Sequence, residues 1–536
     1  MTGDGNNERT PLLASNGANG SSHRVDDRDT VSIHSVHAIP PNSLPPASRD
    51  ISPSRRWLIL GFVFSISILL GIGGVLVETA QWEVIEGIIC DNVHGPGPHP
   101  PSNDGKNPCK DEAVAGQVAQ IMGWMQSIAL LPGLFLSVAF GVIADTYGRR
   151  IAMGLAMLGI TLSETVIMVI CARPDVFPIH SLLFAPLFMA IGGGPFFFSS
   201  ITYTIVADVT TEAQRSTYFF FVGAVVASGA LLSKPIAYLA RKQGVWFSIY
   251  LGLAILTIST ICSFSIPETL DKKKAASTAP VSIHSREDDH GRSRFQRWVR
   301  KTKLSLYQTG LILRWLFWEQ KLVGFLLLSL ACEILGRQVD IITPIYISTR
   351  FKKSYAEAGL IQTVDFFTML VLLTVILPFV SYFLLTHLKL SVREKDLRLA
   401  QVSALLAAIG TTVIGLAESL PLLLAAMVTK NLGVGYTYML RGLTASLVGG
   451  HNIGLLYSSI AFVETVSGLI GGPLFGRLFG VGVGWGDDWI GLPYLVGGVI
   501  LIGAAVLIGF IRTSFVQDGE VVEESGSGEG TDEEEG

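Results

Sequence analysis

The sequence predicts an all-α integral membrane protein of 12 transmembrane helices in two six-helix halves. Two observations carry this. Charged residues are only 15% of the 536, against 49% apolar, whereas a soluble domain carries about 25% charged residues. The apolar residues also gather into runs of about 20, long enough for a helix to cross a hydrocarbon core of roughly 30 Å. Helices follow because lipid offers the backbone no hydrogen-bond partners. A polar stretch at 267–316 parts six runs from six, a plan expected of a protein that rocks around a central site.

In order, the first half holds apolar runs at 57–80, 117–144, 151–172, 181–207, 217–240 and 245–266. The second holds 322–346, 358–384, 398–416, 420–446, 453–480 and 491–511. The domain plan is therefore a disordered cytosolic tail at 1–55, a six-helix half at 56–266, a cytosolic loop with an amphipathic helix at 267–320, a second half at 321–512 and an acidic cytosolic tail at 513–536. An even number of crossings puts both termini on one side. Arg55, Arg56, Arg149, Arg150, the Lys389–Arg398 loop and the basic segment 272–321 fall there, which makes that side cytosolic. The bias is mild, because Arg173, Arg241, Lys242, Arg350, Lys352 and Lys353 fall opposite.

Residues 1–50 are polar, lack the apolar core of a secretory signal and are expected to be disordered. Within them Glu8-Arg-Thr-Pro-Leu12-Leu13 resembles an acidic dileucine sorting signal for a vacuole or lysosome; a chance match of so short a pattern stands beside that reading. The tail after Gln517 holds nine acids and no bases, a solvated, self-repelling segment. In the central loop Phe295, Trp298, Leu306, Ile312 and Trp315 alternate with Arg297, Arg300, Lys301 and Lys303, which suits a helix lying on the inner membrane surface. Nucleic acid is not an expected partner beside twelve spans.

Cys171, Cys262 and Cys332 fall in apolar runs and read as packing residues. Cys90 and Cys109 lie in the first outer loop, facing an oxidising compartment, and a disulfide is expected between them. His94 and His99 beside them match no standard zinc spacing, so no metal is expected.

Between the second and third runs stands Gly141-Val-Ile-Ala-Asp145-Thr-Tyr-Gly148-Arg149-Arg150. This G-x-x-x-D-x-x-G-R-R pattern resembles the signature of the major facilitator superfamily of membrane transporters. Pro267-Glu268-Thr269 resembles an ending common there. Glu86-Gly-Ile-Ile-Cys90 and the Asp208–Arg215 stretch look like fungal members, which are similar in turn to the proton-coupled folate and haem carrier branch. The resemblance implies the major facilitator fold. It implies that Gly141, Asp145, Gly148, Arg149 and Arg150 form a gate that locks the halves at the cytosolic face, Asp145 facing a helix N-terminus of the other half. Asp208 is the expected partner of Arg149 or Arg150, and Arg215 extends that network. One departure stands out. Where drug/proton antiporters carry G-P-x-x-G-G, this chain has Gly229-Ala-Leu-Leu-Ser-Lys234-Pro235, so the antiporter mechanism is not implied.

An ionisable residue at mid-membrane is costly and is by default a functional candidate with a partner. Glu333, Arg337 and Asp340 are spaced to share one helical face. Glu333 falls about 18 Å deep at 1.5 Å per residue. Asp365 and Lys430 enter from the outer side to similar depth and are expected to pair; Arg441 and Glu464 form a second expected pair, and Glu164 is central in the third run. These eight residues are the candidate solute or proton site, and structural pairing is the competing reading for each. Gly192-Gly-Gly-Pro195 is expected to kink the fourth run, the kind of interruption found at binding sites.

The expected function is a secondary active transporter moving a small organic solute by alternating access, with a proton as candidate co-substrate. The alternative is a membrane sensor that keeps the fold without transport. No Walker loop, zinc spacing or nucleophile elbow is present, so neither an enzyme nor an ATP-driven pump is expected, and no cofactor. The expected partners are the solute and the lipid bilayer, the expected state a monomer, and the expected location the plasma or the vacuolar membrane.

Overall fold

The computed structural model describes residues 52–97, 108–210, 212–269, 321–448 and 453–511. The dileucine pattern at Glu8, Leu12 and Leu13, nearly all of the N-terminal tail, the central loop with its amphipathic helix, the acidic tail and the side chain of Arg215 lie outside the described residues.

Among the described residues every regular element is helical. Eleven runs are long and apolar enough to cross a membrane. Spans 1 to 6 are Pro53–His94, Glu112–Thr146, Arg149–Ala172, Ile179–Val209, Glu212–Arg241 and Val245–Phe264. Spans 7 to 9 are Leu322–Arg350, Tyr355–Thr386 and Val392–Leu416. Span 10 is split into Leu420–Leu432 and Gly435–Val448, neither piece long enough to cross alone. Span 11 is Ile453–Trp485 and span 12 is Leu492–Gly509. Large apolar side chains such as Ile261, Phe379 and Val499 are more than 60% exposed. Lipid, not water, is the solvent that makes such a surface stable.

The breaks have local causes. Span 4 begins as a 3-10 helix, Ile179–Ile191, and resumes as an α-helix at Gly194. Gly193 and Gly194 both take positive φ, +77° and +74°, which only glycine adopts without strain. Span 7 tightens to a 3-10 turn at Gln338–Ile342, and span 8 carries a π-bulge at Leu372–Ile376; such irregularities are frequent at functional sites.

Span 1 runs well past the expected end at residue 80, so Glu83, Glu86 and Cys90 sit on a helix and not in a loop. Trp82, Ile85 and Ile89 continue its buried face, which explains the extension.

The two sets of six meet along two seams. Spans 2 and 11 touch backbone to backbone: a Cβ on Gly123 would lie 2.2 Å from the Gly472 carbonyl oxygen, and one on Gly116 would lie 3.0 Å from Gly480 Cα. Small residues allow this approach. Ser127 Oγ donates across the seam to the Leu469 carbonyl at 3.0 Å. The second seam packs span 5 on span 8. Among the described residues, the hydrogen bonds between the halves run from the face bearing Cys90 to mid-depth.

Candidate functional site

Three groups of polar side chains interrupt this apolar bundle. The first lies deep in the second half. Glu333 is 1% exposed and accepts from Arg337 Nη1 at 3.0 Å and from Thr437 Oγ1 at 3.2 Å. The pair is one helical turn apart on span 7, and Thr437 comes from the second piece of span 10. Beyond Arg337 the 3-10 turn tightens the helix and turns Asp340 toward span 10, where Lys430 Nζ donates to it at 2.8 Å. Asp365 of span 8 is 3.8 Å from the same ammonium and is held by Asn431. The expected Asp365–Lys430 pair is therefore a triad in which Asp340 holds the shorter contact. Arg441 and Glu464 pair directly. Tyr438 is exposed and within electrostatic reach of Arg337 and of Tyr203 in the first half, so it faces the space between the halves.

Glu164 stands apart from these cations. Its carboxylate accepts from Gln81 Nε2 of span 1 at 2.6 Å, and Glu78 is its charged neighbour.

The second group is the signature turn. Gly148 precedes span 3 with φ +116°, and a Cβ there would strike the Glu268 carboxylate, 2.1 Å from Oε2. Glu268 fills that space and caps span 3: Oε1 accepts from Arg149 N at 2.8 Å and Oε2 from Arg150 N at 3.3 Å. An anion on exposed helix N–H groups is favoured by both hydrogen bonding and the helix dipole. The Arg149 guanidinium reaches Asp145 at 2.5 Å and Asp208 at 3.3 Å, and Thr269 donates to Asp208. Asp145 thus bonds within its own half in this structure, where a helix of the other half was expected. Arg150 is exposed, and the position of Gly141 leaves open space around it, so no close approach is made there.

The third group closes the opposite face. A disulfide joins Cys90 at the end of span 1 to Cys109, with Cα atoms 5.2 Å apart. It brings the next residue, Lys110, back over span 1, one turn below the disulfide. There Lys110 Nζ donates to Glu86 at 2.5 Å and to Ser348 of span 7 at 2.7 Å, and it sits 4.5 Å above the Tyr355 ring. Tyr355 donates to Glu86 at 3.1 Å and stacks on Trp82. Burial holds the Lys110 ammonium below the usual lysine range, with Glu86 opposing that shift. Four residues from both halves are locked into one contact.

Sequence reasoning did not place Glu268, Lys110, Tyr355 or Thr437 in a site. Glu268 was visible only as a family marker, and Lys110 only as the neighbour of a cysteine. Their roles depend on where the chain returns after a span, which spacing does not encode.

The fold, the signature turn and the buried ions now define a class. A profile of the Major Facilitator Superfamily matches residues 115–472, and the chain belongs to that family. It is 26% identical over 473 residues to the MFS efflux pump atnC of Emericella nidulans, covering 87% of this chain and 90% of that protein. It is equally 26% identical to the MFS-type transporter aprT of Aspergillus flavus, over 92% of this chain and 96% of that one. The proton-coupled folate transporter of Bos taurus is 22% identical, covering 73% and 78%. Among solved structures, the nucleoside transporter NupG superposes with a TM-score of 0.56 at 12% identity, over 85% of this chain and all of that one. A D-xylose-proton symporter gives 0.56 at 13%, over 84% and 97%. At those identities the structures establish the fold alone. The chain is a multi-pass membrane transporter and not an enzyme.

Proposed function

We propose that this protein is a secondary active transporter that moves a small organic solute by alternating access, with a proton as candidate co-substrate. The observation that carries the reading is a set of ion pairs deep in the second half, among Glu333, Arg337, Asp340, Asp365 and Lys430, with the halves bonded together toward one face. Even when paired, charges this deep stabilise a bundle little more than well-packed apolar residues would, which favours a working role for them. In this reading the signature face is cytosolic, both termini lie there, and the structure is closed to the outside. The 56–266 and 321–512 halves are the rocking bodies. Names of the fungal relatives support export as the direction, across the plasma or the vacuolar membrane.

Asp145, Arg149 and Asp208 would then belong to a gate whose cross-half partner is met only in the outward-open state. The Arg441–Glu464 pair reads as an anchor of spans 10 and 11. Glu164, whose hydrogen-bond partner among the described residues is a neutral amide, is the carboxylate best placed to exchange a proton without first breaking an ion pair.

Alternating access requires one residue to be reachable from both sides in turn. Tyr438→Cys is expected to react with a membrane-impermeant thiol reagent added to the cytosolic face of inside-out vesicles. During turnover it is expected to react from the outer face as well. Labelling from one face only, under every condition, would sink the alternating-access reading.

The outer closure gives a separate expectation. Lys110→Ala removes the shared donor of Glu86 and Ser348, and Cys109→Ser frees the segment that carries it. Both are expected to raise thiol labelling of an outer-seam probe, Gly359→Cys, by about tenfold, the loss of one charge-assisted bond. Unchanged labelling in both variants would show that Lys110 does not hold the seam.

A further inference from the structure

A small pocket lies between the halves, just inside the outer closure, and Glu78, Thr79, Trp82, Lys234, Tyr355 and Gln362 are among its lining residues. Lys234 is 7% exposed. Its ammonium has three protons to donate, and among the described residues its hydrogen-bond partner is the neutral Gln362 Oε1 of span 8, at 3.1 Å. Three other cations deep in the spans behave differently: Arg337, Lys430 and Arg441 each face a carboxylate. A second donor adjoins it. Trp82 is 2% exposed, and its indole N–H is buried without a hydrogen-bond partner.

Both groups are donors, one charged and bonded to a neutral oxygen alone, the other without an acceptor. A buried cation normally has an anion beside it, and a buried N–H an acceptor. Asp365 of span 8 lies within the field of the Lys234 ammonium but makes its direct contacts with Asn431 and Lys430. Glu78 of span 1 lines the same pocket, and among the described residues no ion pair joins it to Lys234. Glu83 and Glu86 on that helix are bound to Arg241 and Lys110. Apart from Glu78, then, the carboxylates facing this pocket from spans 1 and 8 are spoken for.

We infer that the pocket is an oxyanion subsite: a carboxylate-class group on the transported solute seats on Lys234 and Trp82 in place of the Gln362 amide oxygen. This rests on the transporter reading and adds the chemical class of the solute. It also couples binding to movement. Lys234 belongs to the first half and Gln362 to the second, so a solute anion that takes Lys234 breaks a bond holding the outer seam shut. The flat faces of Trp82 and Tyr355, stacked 6.0 Å apart, floor the subsite. Glu78 then stands at its rim, where it excludes a second anion.

The test needs neither the solute nor turnover. In the full chain carrying Thr79→Cys, the pocket thiol is labelled with two reagents of similar size. One is anionic, 2-sulfonatoethyl methanethiosulfonate; the other is cationic, 2-trimethylammonioethyl methanethiosulfonate. Mass spectrometry reads the modification at position 79, so the native cysteines stay in place, and each rate is divided by that of the reagent with a free thiol. The anionic reagent is expected to be favoured at least about fivefold, from one unit charge nearby. Lys234→Gln is expected to remove that preference, Lys234→Arg to keep it and Glu78→Gln to increase it. A preference unaffected by Lys234→Gln, a cationic preference in the parent, or no labelling by either reagent would overturn the subsite. Failure of transport itself would leave this ratio untouched, so the two readings fall separately.

Discussion

Replacing Glu333 by glutamine is expected to lower solute flux at least about tenfold while the protein still reaches the membrane. The carboxylate is buried and bonded to both Arg337 and Thr437. Glutamine preserves the shape and one acceptor but deletes the charge that balances Arg337. Alanine should do more harm to the fold, because removing one partner of a buried pair costs about 3 kcal/mol or more. The double change Glu333→Gln with Arg337→Gln separates the two effects. If the pair were only a structural clamp, neutralising both partners would restore stability and activity together. The account expects thermal stability in detergent to recover and flux to stay lost. Full flux in the single glutamine variant would remove the cluster from the transport cycle.

The second large effect is expected at Arg149. Its side chain joins Asp145 and Asp208, while its backbone N–H rests on the Glu268 cap. Asp145 is 64% exposed, and exposed ion pairs contribute little to stability. Arg149→Ala should therefore leave the melting temperature almost unchanged yet reduce flux at least about tenfold, because the gate must re-form in every cycle. Glu268→Ala should show the opposite balance. It strips a cap from span 3 and costs about 1 kcal/mol, with a smaller loss of flux. Equal losses of stability in both variants would mean that the turn is an anchor and not a gate.

These two sites also show what the sequence could and could not convey. Long apolar runs were legible because each span must be continuous in lipid. The break in the tenth was not legible and has a physical reason: Gly433 and Gly435 divide it, and span 9 comes so near that a Cβ on Gly433 would lie 2.6 Å from Ala407. Arg441 and Glu464 could be matched by depth alone, since adjacent spans joined by a short loop carry them. Lys430 could not. Two acids, Asp340 and Asp365, reach similar depth from different helices, and only the 3-10 turn after Arg337 decides which comes closer. Glu268 follows span 6 and caps span 3, a contact set by where the chain emerges. Lys110 was hidden behind its cysteine, because its position over Glu86 exists only once the disulfide has folded the loop back. Lys234 was visible as a charge in the wrong place for an antiporter motif; that its partner is an uncharged amide could be seen only in three dimensions.

The central claim is that this chain carries an organic solute across a membrane. Paired metabolite profiles test it most directly: cells and medium, with isolated vacuoles as a third compartment, compared with and without the protein, and with Glu333→Gln as control. The account predicts at least one organic anion displaced from cytosol to medium or vacuole, with the displacement lost in the Glu333→Gln variant. No displaced compound in any compartment from a correctly inserted protein, or a displacement that Glu333→Gln leaves intact, would contradict it.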